Sequence, residues 1–312
     1  MGEPSIRLNQ KGIKMATGTP TNRTNITLPA DVSDVILQKV QEESAIMRLA
    51  RQIELPGRGT SINVITADPT ATWIGETSAK SVSNPSVSTK VMAAHKLAVI
   101  VPFSKEFRRD VAALYDALVA RLPRALAMKF DQTVITGSAP GSNFDVLSGC
   151  TAQNLSSGAY GALVAADTDI ATHGGSLNGW ALSPAAKGVL LAAEDTSHRP
   201  LFINNVSEGA IPVILGAPVA ITKGAFKGGA ATSGTTPAVP NIVGVAGDWS
   251  QALYGTVAGV EISYSEDATL LDSNSNPIYL FQQNMFAVRA EIELGFRADT
   301  DCFNLLTTTY TA

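Results

Sequence analysis

Charge is scarce in this 312-residue chain. Asp, Glu, Lys and Arg make up 16% of it, well under the roughly 25% of ordinary soluble domains. A free monomer needs a solvated exterior, whereas surfaces buried between subunits are depleted in charge. The shortage points to an exterior largely covered by other chains; a monomer with an uncharged polar surface is the plainer alternative. The 23 Lys and Arg stand against 27 Asp and Glu, giving a net charge of −4. That balance does not suggest a basic face that wraps DNA, which requires cations clustered against phosphates.

Other absences narrow the function. Cysteine occurs twice, at Cys150 and Cys302, without metal-ligand or redox spacing. The pair reads as buried free thiols in a reducing compartment. Histidine occurs three times, at His95, His173 and His198, too scattered for a metal centre or a catalytic base. The Gly-x-Ser-x-Gly elbow, the P-loop, Gly-x-Gly-x-x-Gly and His-Glu-x-x-His are all missing. Residues 1–27 are polar without an apolar core, so no cleavable signal is expected. The longest apolar runs, such as Leu97–Phe103, are far too short to span a membrane. The sequence offers no catalytic, cofactor or metal site.

What is present is a succession of distinct textures. Residues 1–28 form a polar arm that folds poorly alone. From Pro29 the pattern turns helical, with Asp31 as a cap and Val32, Val35, Ile36, Val40, Ile46, Leu49 and Ile53 at three- and four-residue spacing. Pro56-Gly57-Arg58-Gly59 ends it. Ile62, Val64 and then Leu97, Val99, Val101 and Phe103 alternate with period two, on either side of the Ser/Thr/Pro/Gly-rich stretch 68–88. The whole of 55–103 reads as a long two-stranded excursion. Such a ribbon is marginally stable in water, and its length suggests that it lies on a neighbouring subunit.

Ser104 offers an N-cap to Phe107, Val111, Leu114, Leu118, Leu122 and Leu126. Helical through Thr136, that element measures about 50 Å, but Pro123 removes a backbone donor and should kink or break it. Residues 137–255 read as mixed α/β, with a helix over 184–193 and short strands over 211–215 and 218–222. Lys223–Pro240 reads as an exposed, mobile low-complexity loop. The cleanest signal comes last. Phe286, Val288, Ala290, Ile292, Leu294 and Phe296 alternate with Arg289, Glu291, Glu293 and Arg297, a long half-buried antiparallel strand.

Several stretches stand out as motifs. They are Trp73-Ile74-Gly75-Glu76 with Ala79-Lys80, Lys96-Leu97-Ala98, and Val101-Pro102-Phe103-Ser104-Lys105-Glu106 with Arg109-Asp110. Further on come Gly179-Trp180-Ala181-Leu182-Ser183-Pro184, Arg199-Pro200-Leu201-Phe202, Gly216-Ala217-Pro218-Val219, Gly247-Asp248-Trp249-Ser250 and the strand 284–296. None is specific alone, but in their order over 30–305 they resemble the tailed-bacteriophage major capsid family with the Hong Kong 97-type fold. The resemblance implies an α+β fold: an N-arm and short helix (1–54), an extended β-hairpin loop (55–96), and a peripheral domain with a long spine helix (97–138). An axial domain (139–255) follows, then the peripheral domain's C-terminal strands (256–312). About fifty residues precede the loop, which implies a separate scaffolding protein or none.

The same resemblance implies a shell subunit that assembles into pentamers and hexamers of a phage head around double-stranded DNA, bound without sequence specificity. Implied partners are further copies, a portal protein, and scaffolding or decoration proteins, with assembly in the host bacterial cytoplasm and no membrane. An encapsulin-type compartment shares this fold, and a soluble enzyme or binding module is the alternative of another class. Contacts between subunits are expected at Trp73, Ile74, Glu76 and Lys80 on the loop, and at Arg108, Arg109 and Asp110 at the spine start. Some members fuse neighbours through a Lys–Asn isopeptide bond promoted by a Glu, and Lys80, Asn284 and Glu291 fall at those positions. The plain alternative is a solvated lysine, a strand-start residue and one member of a polar face. Asn284 and Glu291 would face opposite ways on one regular strand.

Overall fold

The structure, a computed structural model, describes residues 40–41, 43–56, 60–67, 73, 86–110, 119–194, 199, 201, 213–232, 238–272 and 274–310. Ser44 caps a short helix, α1 (Ala45–Leu49), by accepting the Met47 amide. Ala50 is already extended, and β1 (Arg51–Glu54) pairs in parallel with residues 253–256. The helix expected through Ile53 therefore stops at Leu49, because sheet pairing overrides a local helical pattern. The expected helix start at 29–39 lies outside the described residues.

The ribbon exists, with a different return limb. β2 (Thr60–Ala67) pairs with β3 (Ser86–Met92), Thr60 opposite Met92. The alternating residues 97–103 instead belong to β4 (His95–Ser104), a strand of the body. Alternation marks any half-buried strand and says nothing of its partner. The Ser104 hydroxyl accepts the Glu106 amide at the start of α2 (Lys105–Asp110). Ala120 and Arg121 form a turn, and α3 (Leu122–Thr136) begins with Pro123 in its first turn. The expected 50 Å helix is thus broken immediately ahead of the proline, which a first turn accommodates without losing a bond.

The next elements are β5 (Thr151–Asn154), α4 (Ala159–Thr172), β6 (Gly179–Leu182), α5 (Pro184–Leu191), β7 (Val213–Ile214) and β8 (Ala217–Ile221). Ser183 caps α5. The loop from Lys223 is not exposed throughout. Residues 223–225 make a 3-10 turn with Gly224 and Ala225 buried, and a Cβ on Gly224 would lie 2.7 Å from the Asp131 Cβ of α3. β9 (Asn241–Gly247), β10 (Ala252–Thr256), β11 (Glu261–Ser265), the hairpin β12 (Thr269–Leu271) with β13 (Pro277–Tyr279), β14 (Met285–Ala298) and β15 (Phe303–Thr308) complete the chain.

Two sheets result. In the first, β14 pairs along one edge with β4 and along the other with β11 and then β10; β1 extends it beyond β10. The second has the order β5-β15-β9-β6-β8-β7. Residues 256–312 do not all join the first sheet: β15 lies in the second, between β5 and β9. The alternation read in β14 holds, with Phe286, Val288, Ala290, Ile292, Leu294 and Phe296 buried. They share a core with Leu126, Phe130 and Val134 of α3 and with Val245, Trp249 and Phe303 from the second sheet's side. On the opposite face Trp180, Leu182 and Val243 pack with Leu163 and Ile170 of α4 and Leu190 of α5. The second sheet is therefore covered on both faces, which is why its inner strands β6 (Gly-Trp-Ala-Leu) and β9 (Asn-Ile-Val-Gly-Val-Ala-Gly) carry apolar residues on both sides.

One buried carboxyl group ties the N-terminal segment to this core. Asp131 of α3 is fully buried. Its carboxylate accepts from the Ser44 hydroxyl (2.6 Å), the Ala45 amide (3.0 Å), the Ile46 amide (3.4 Å) and the Thr222 hydroxyl. Burial pushes its pKa above the usual carboxylate range, and these four donors pull it back only in part. Its stabilising contribution is therefore complete below the ordinary value and declines as pH rises through the raised one. Asp131→Ala is expected to cost about 2–4 kcal/mol by removing the shared acceptor and opening a void. Urea unfolding at neutral and acidic pH checks this, and the gap from the parent chain should widen on the acidic side.

Candidate assembly surfaces

The residues expected to mediate contacts fall on two parts of the molecule. Trp73, the one described residue between 68 and 85, is fully exposed at 105%. Ile74, Glu76 and Lys80 lie outside the described residues. At the spine start Arg109 is exposed on α2; the side chains of Arg108 and Asp110 lie outside the described set. An exposed indole is the type of anchor that dominates protein interfaces when a partner covers it.

Asn284 and Glu291 stand apart. Asn284 is not on the strand; it ends the turn after β13 in a left-handed conformation (φ 54°), its carbonyl accepting the Lys105 amide. Glu291 sits opposite Ala98, six residues along β14 from Met285, so about 20 Å separates the two at the usual rise per residue. Within one chain they cannot act on one bond. Glu291 is also engaged: Lys96 Nζ donates to it at 2.8 Å and Arg289 Nε lies 3.5 Å away. Lys96 reaches Glu293 at 3.2 Å as well. Lys96 holds the Glu291 carboxyl below its ordinary value, whereas a base that deprotonates an amine needs a raised one.

A second site escaped sequence reasoning. Gly255 of β10 and Gly295 of β14 are register partners, and the root of the ribbon rests on them. A Cβ on Gly255 would meet the Leu55 side chain and, at 2.8 Å, the Met92 sulfur. One on Gly295 would lie 2.8 Å from Met92 Cγ and 2.9 Å from the Ala93 carbonyl oxygen. Leu55, directly after β1, and Met92, at the end of β3, are 3% and 0% exposed. Beside them Arg297 spreads its guanidinium across three segments. Nε (2.8 Å) and Nη2 (2.6 Å) donate to the Val91 carbonyl, Nη2 also to Asn143 Oδ1 (3.0 Å), and Nη1 to Asp145 Oδ1 (2.6 Å). Asp145 Oδ2 accepts the Ala298 amide. In sequence Gly295 reads as a weak point of a strand and Arg297 as one more polar-face residue.

Among the described residues no cluster of His, Cys, Asp or Glu could hold a metal ion, and no helix is long and apolar enough to cross a membrane. Cys150 and Cys302 are unpaired thiols; burial pushes Cys150 up to about 12, far from a reactive thiolate. A hollow of about 720 Å³ between α4 and α5 is lined by Leu155, Tyr160, Val189, Leu201 and their neighbours without His, Cys or paired carboxylates.

Residues 24–300 match the sequence pattern described as the phage capsid family. The chain is 30% identical over 284 residues to "Probable major capsid protein gp17" of Mycobacterium phage D29, covering 86% of each. Among solved structures it is similar to a chain of Gordonia phage Cozz, with a TM-score of 0.69, 22% identity, and 86% and 87% of the two chains covered. It is likewise similar to a chain titled as the capsid of a native GTA particle, with a TM-score of 0.58, 16% identity, and 86% and 90% covered.

The Lys96–Glu291 pair gives a direct check on the exposed sheet face. Glu291's lowered pKa favours the fold above the ordinary carboxylate value and is lost as pH falls through the lowered one, opposite in sign to Asp131. In Lys96→Met the Glu291 carboxyl, followed by NMR, should titrate at higher pH than in the parent. An unchanged titration would mean that the pair does not form in solution.

Proposed function

Because the chain belongs to the phage capsid family, we propose that it is the major capsid protein of a tailed bacteriophage, many copies of which close into an icosahedral head around double-stranded DNA. The observation that carries this reading is the family match over 24–300 on a Hong Kong 97-type fold. The chain is a structural protein, and the copies form pentamers and hexamers held by repeated contacts. In this reading the sheet organised by β14, with α3 across it, is the peripheral domain, and the second sheet with α4 and α5 is the axial domain at the capsomer centre.

The ribbon and its flanks carry the contacts. Trp73, Ile74, Glu76 and Lys80 lie against a neighbouring subunit, and Arg108, Arg109 and Asp110 pair charges across the boundary. Support comes from the full exposure of Trp73 and from the ribbon's having only two strands, which favours a covering partner. A portal protein at one vertex, separate scaffolding or decoration proteins and DNA bound without sequence preference complete the set of partners, with assembly in the host cytoplasm. The engagement of Glu291 by Lys96 favours a shell held without covalent links.

Negative-stain microscopy of the purified chain should show closed shells or capsomers; featureless monomers at micromolar concentration would overturn the shell reading. Particles boiled under reducing conditions should run as a single 32.5 kDa band. A ladder of multiples would instead show covalently joined subunits, and its loss in Lys80→Arg would assign the link to Lys80.

A further inference from the structure

A ribbon of two strands cannot hold its own direction. Outside a larger sheet it is at best marginally stable, and ordering it at the moment of contact would cost affinity. Either the neighbouring subunit aims it, or its own body does. At the root, three independent features act on the same few residues. The glycine pair 255/295 leaves room for Leu55 and Met92 to sink fully against the first sheet. Arg297 holds the Val91 carbonyl with two of its nitrogens while its third bonds Asp145. Lys90 Nζ donates to the Ala298 carbonyl at 3.5 Å, and the Ala93 amide donates to the Asn143 carbonyl. The return limb is thereby fastened through residues 90–93, and the outgoing limb is held to it by the pairing of Thr60 with Met92; Leu55, which follows β1, packs beside Met92 in the same seat.

We propose that this seat and clamp fix the direction of the ribbon within the free subunit, with Arg297 as the positioning residue. A planar fork suits the task, since one guanidinium can bond in-plane to several acceptors where an ammonium could not. Asp145 and Asn143 lie in the segment that leads from α3 into the second sheet. Arg297 therefore also couples the ribbon to the joint between the two sheets: a shift of that joint moves the Val91 carbonyl's anchor. This inference rests on the reading of the ribbon as the arm that reaches a neighbour, but the fastening itself belongs to one chain and is measurable before assembly.

Amide hydrogen exchange on the full-length, unassembled chain tests it. In the parent, amides of residues 60–62 and 90–92 should be protected. Arg297→Met should speed their exchange at least tenfold while the β4–β14 amides stay as protected as before. Gly295→Ala, which pushes a methyl toward the Ala93 carbonyl, should do the same by the other route, and it decides the matter if Arg297→Met does not fold. Arg289→Met, on the same face of β14 but away from the root, should leave residues 60–62 and 90–92 unchanged. Root amides unprotected in the parent, or unaffected by the seat and clamp variants, would overturn the proposal. Microscopy of the same samples reads the shell function separately, because a parent that is protected at the root yet forms no particles would refute only the shell.

Discussion

Side chains alternate across a strand, so a strand of fourteen residues can serve a core and a surface at once. β14 uses this to the full. Its even-numbered positions from Phe286 to Phe296 are buried against α3 and the second sheet's aromatic residues, with Phe130 and Phe296 edge-on at 6.4 Å between ring centroids. Its odd-numbered positions hold the Lys96–Glu291–Arg289 charges, the glycine seat at 295 and the Arg297 clamp. Slipping its register by one residue would move all of these to the wrong face together. The rest of the first sheet depends on that register.

The motifs that carry the family resemblance divide by physical role. Trp180 and Trp249 are buried, and each indole N–H donates to a backbone carbonyl, of Ile214 and Gly179. Asp248 gathers the Ser176 and Ser250 amides and the Asn178 side chain, fixing the chain where the two sheets meet. These residues build the subunit. Trp73 differs from both, its indole being fully exposed.

Asp131 and Arg297 solve related problems in different ways. Each is an ionisable group that joins segments distant in sequence: α1 to α3 in one case, the ribbon to the 143–145 segment in the other. Asp131 does it under full burial, so desolvation raises its pKa. Arg297 remains partly in contact with water, where bidentate bonding sets geometry more than energy. The buried carboxyl group anchors, and the partly exposed guanidinium aims.

Composition and periodicity determined much here. The charge shortage, the absence of catalytic signatures, the alternation of β14, the helix that starts at Pro184 and the break ahead of Pro123 follow from local chemistry, and the order of motifs adds the fold. Partnership was not legible. The stretch 97–103 alternates as a ribbon limb would, yet pairs with β14; Ile53 fits a helix, yet sits in β1 beside β10; and β15 joins the second sheet rather than the first. The clamp at Arg297 and the seat at Gly255 and Gly295 were equally hidden. Their meaning lies in contacts across some 40 to 240 positions of chain, such as Gly255 with Gly295 and Leu55 with Gly295. Local pattern fixes which face a side chain takes; only tertiary structure decides what that face meets.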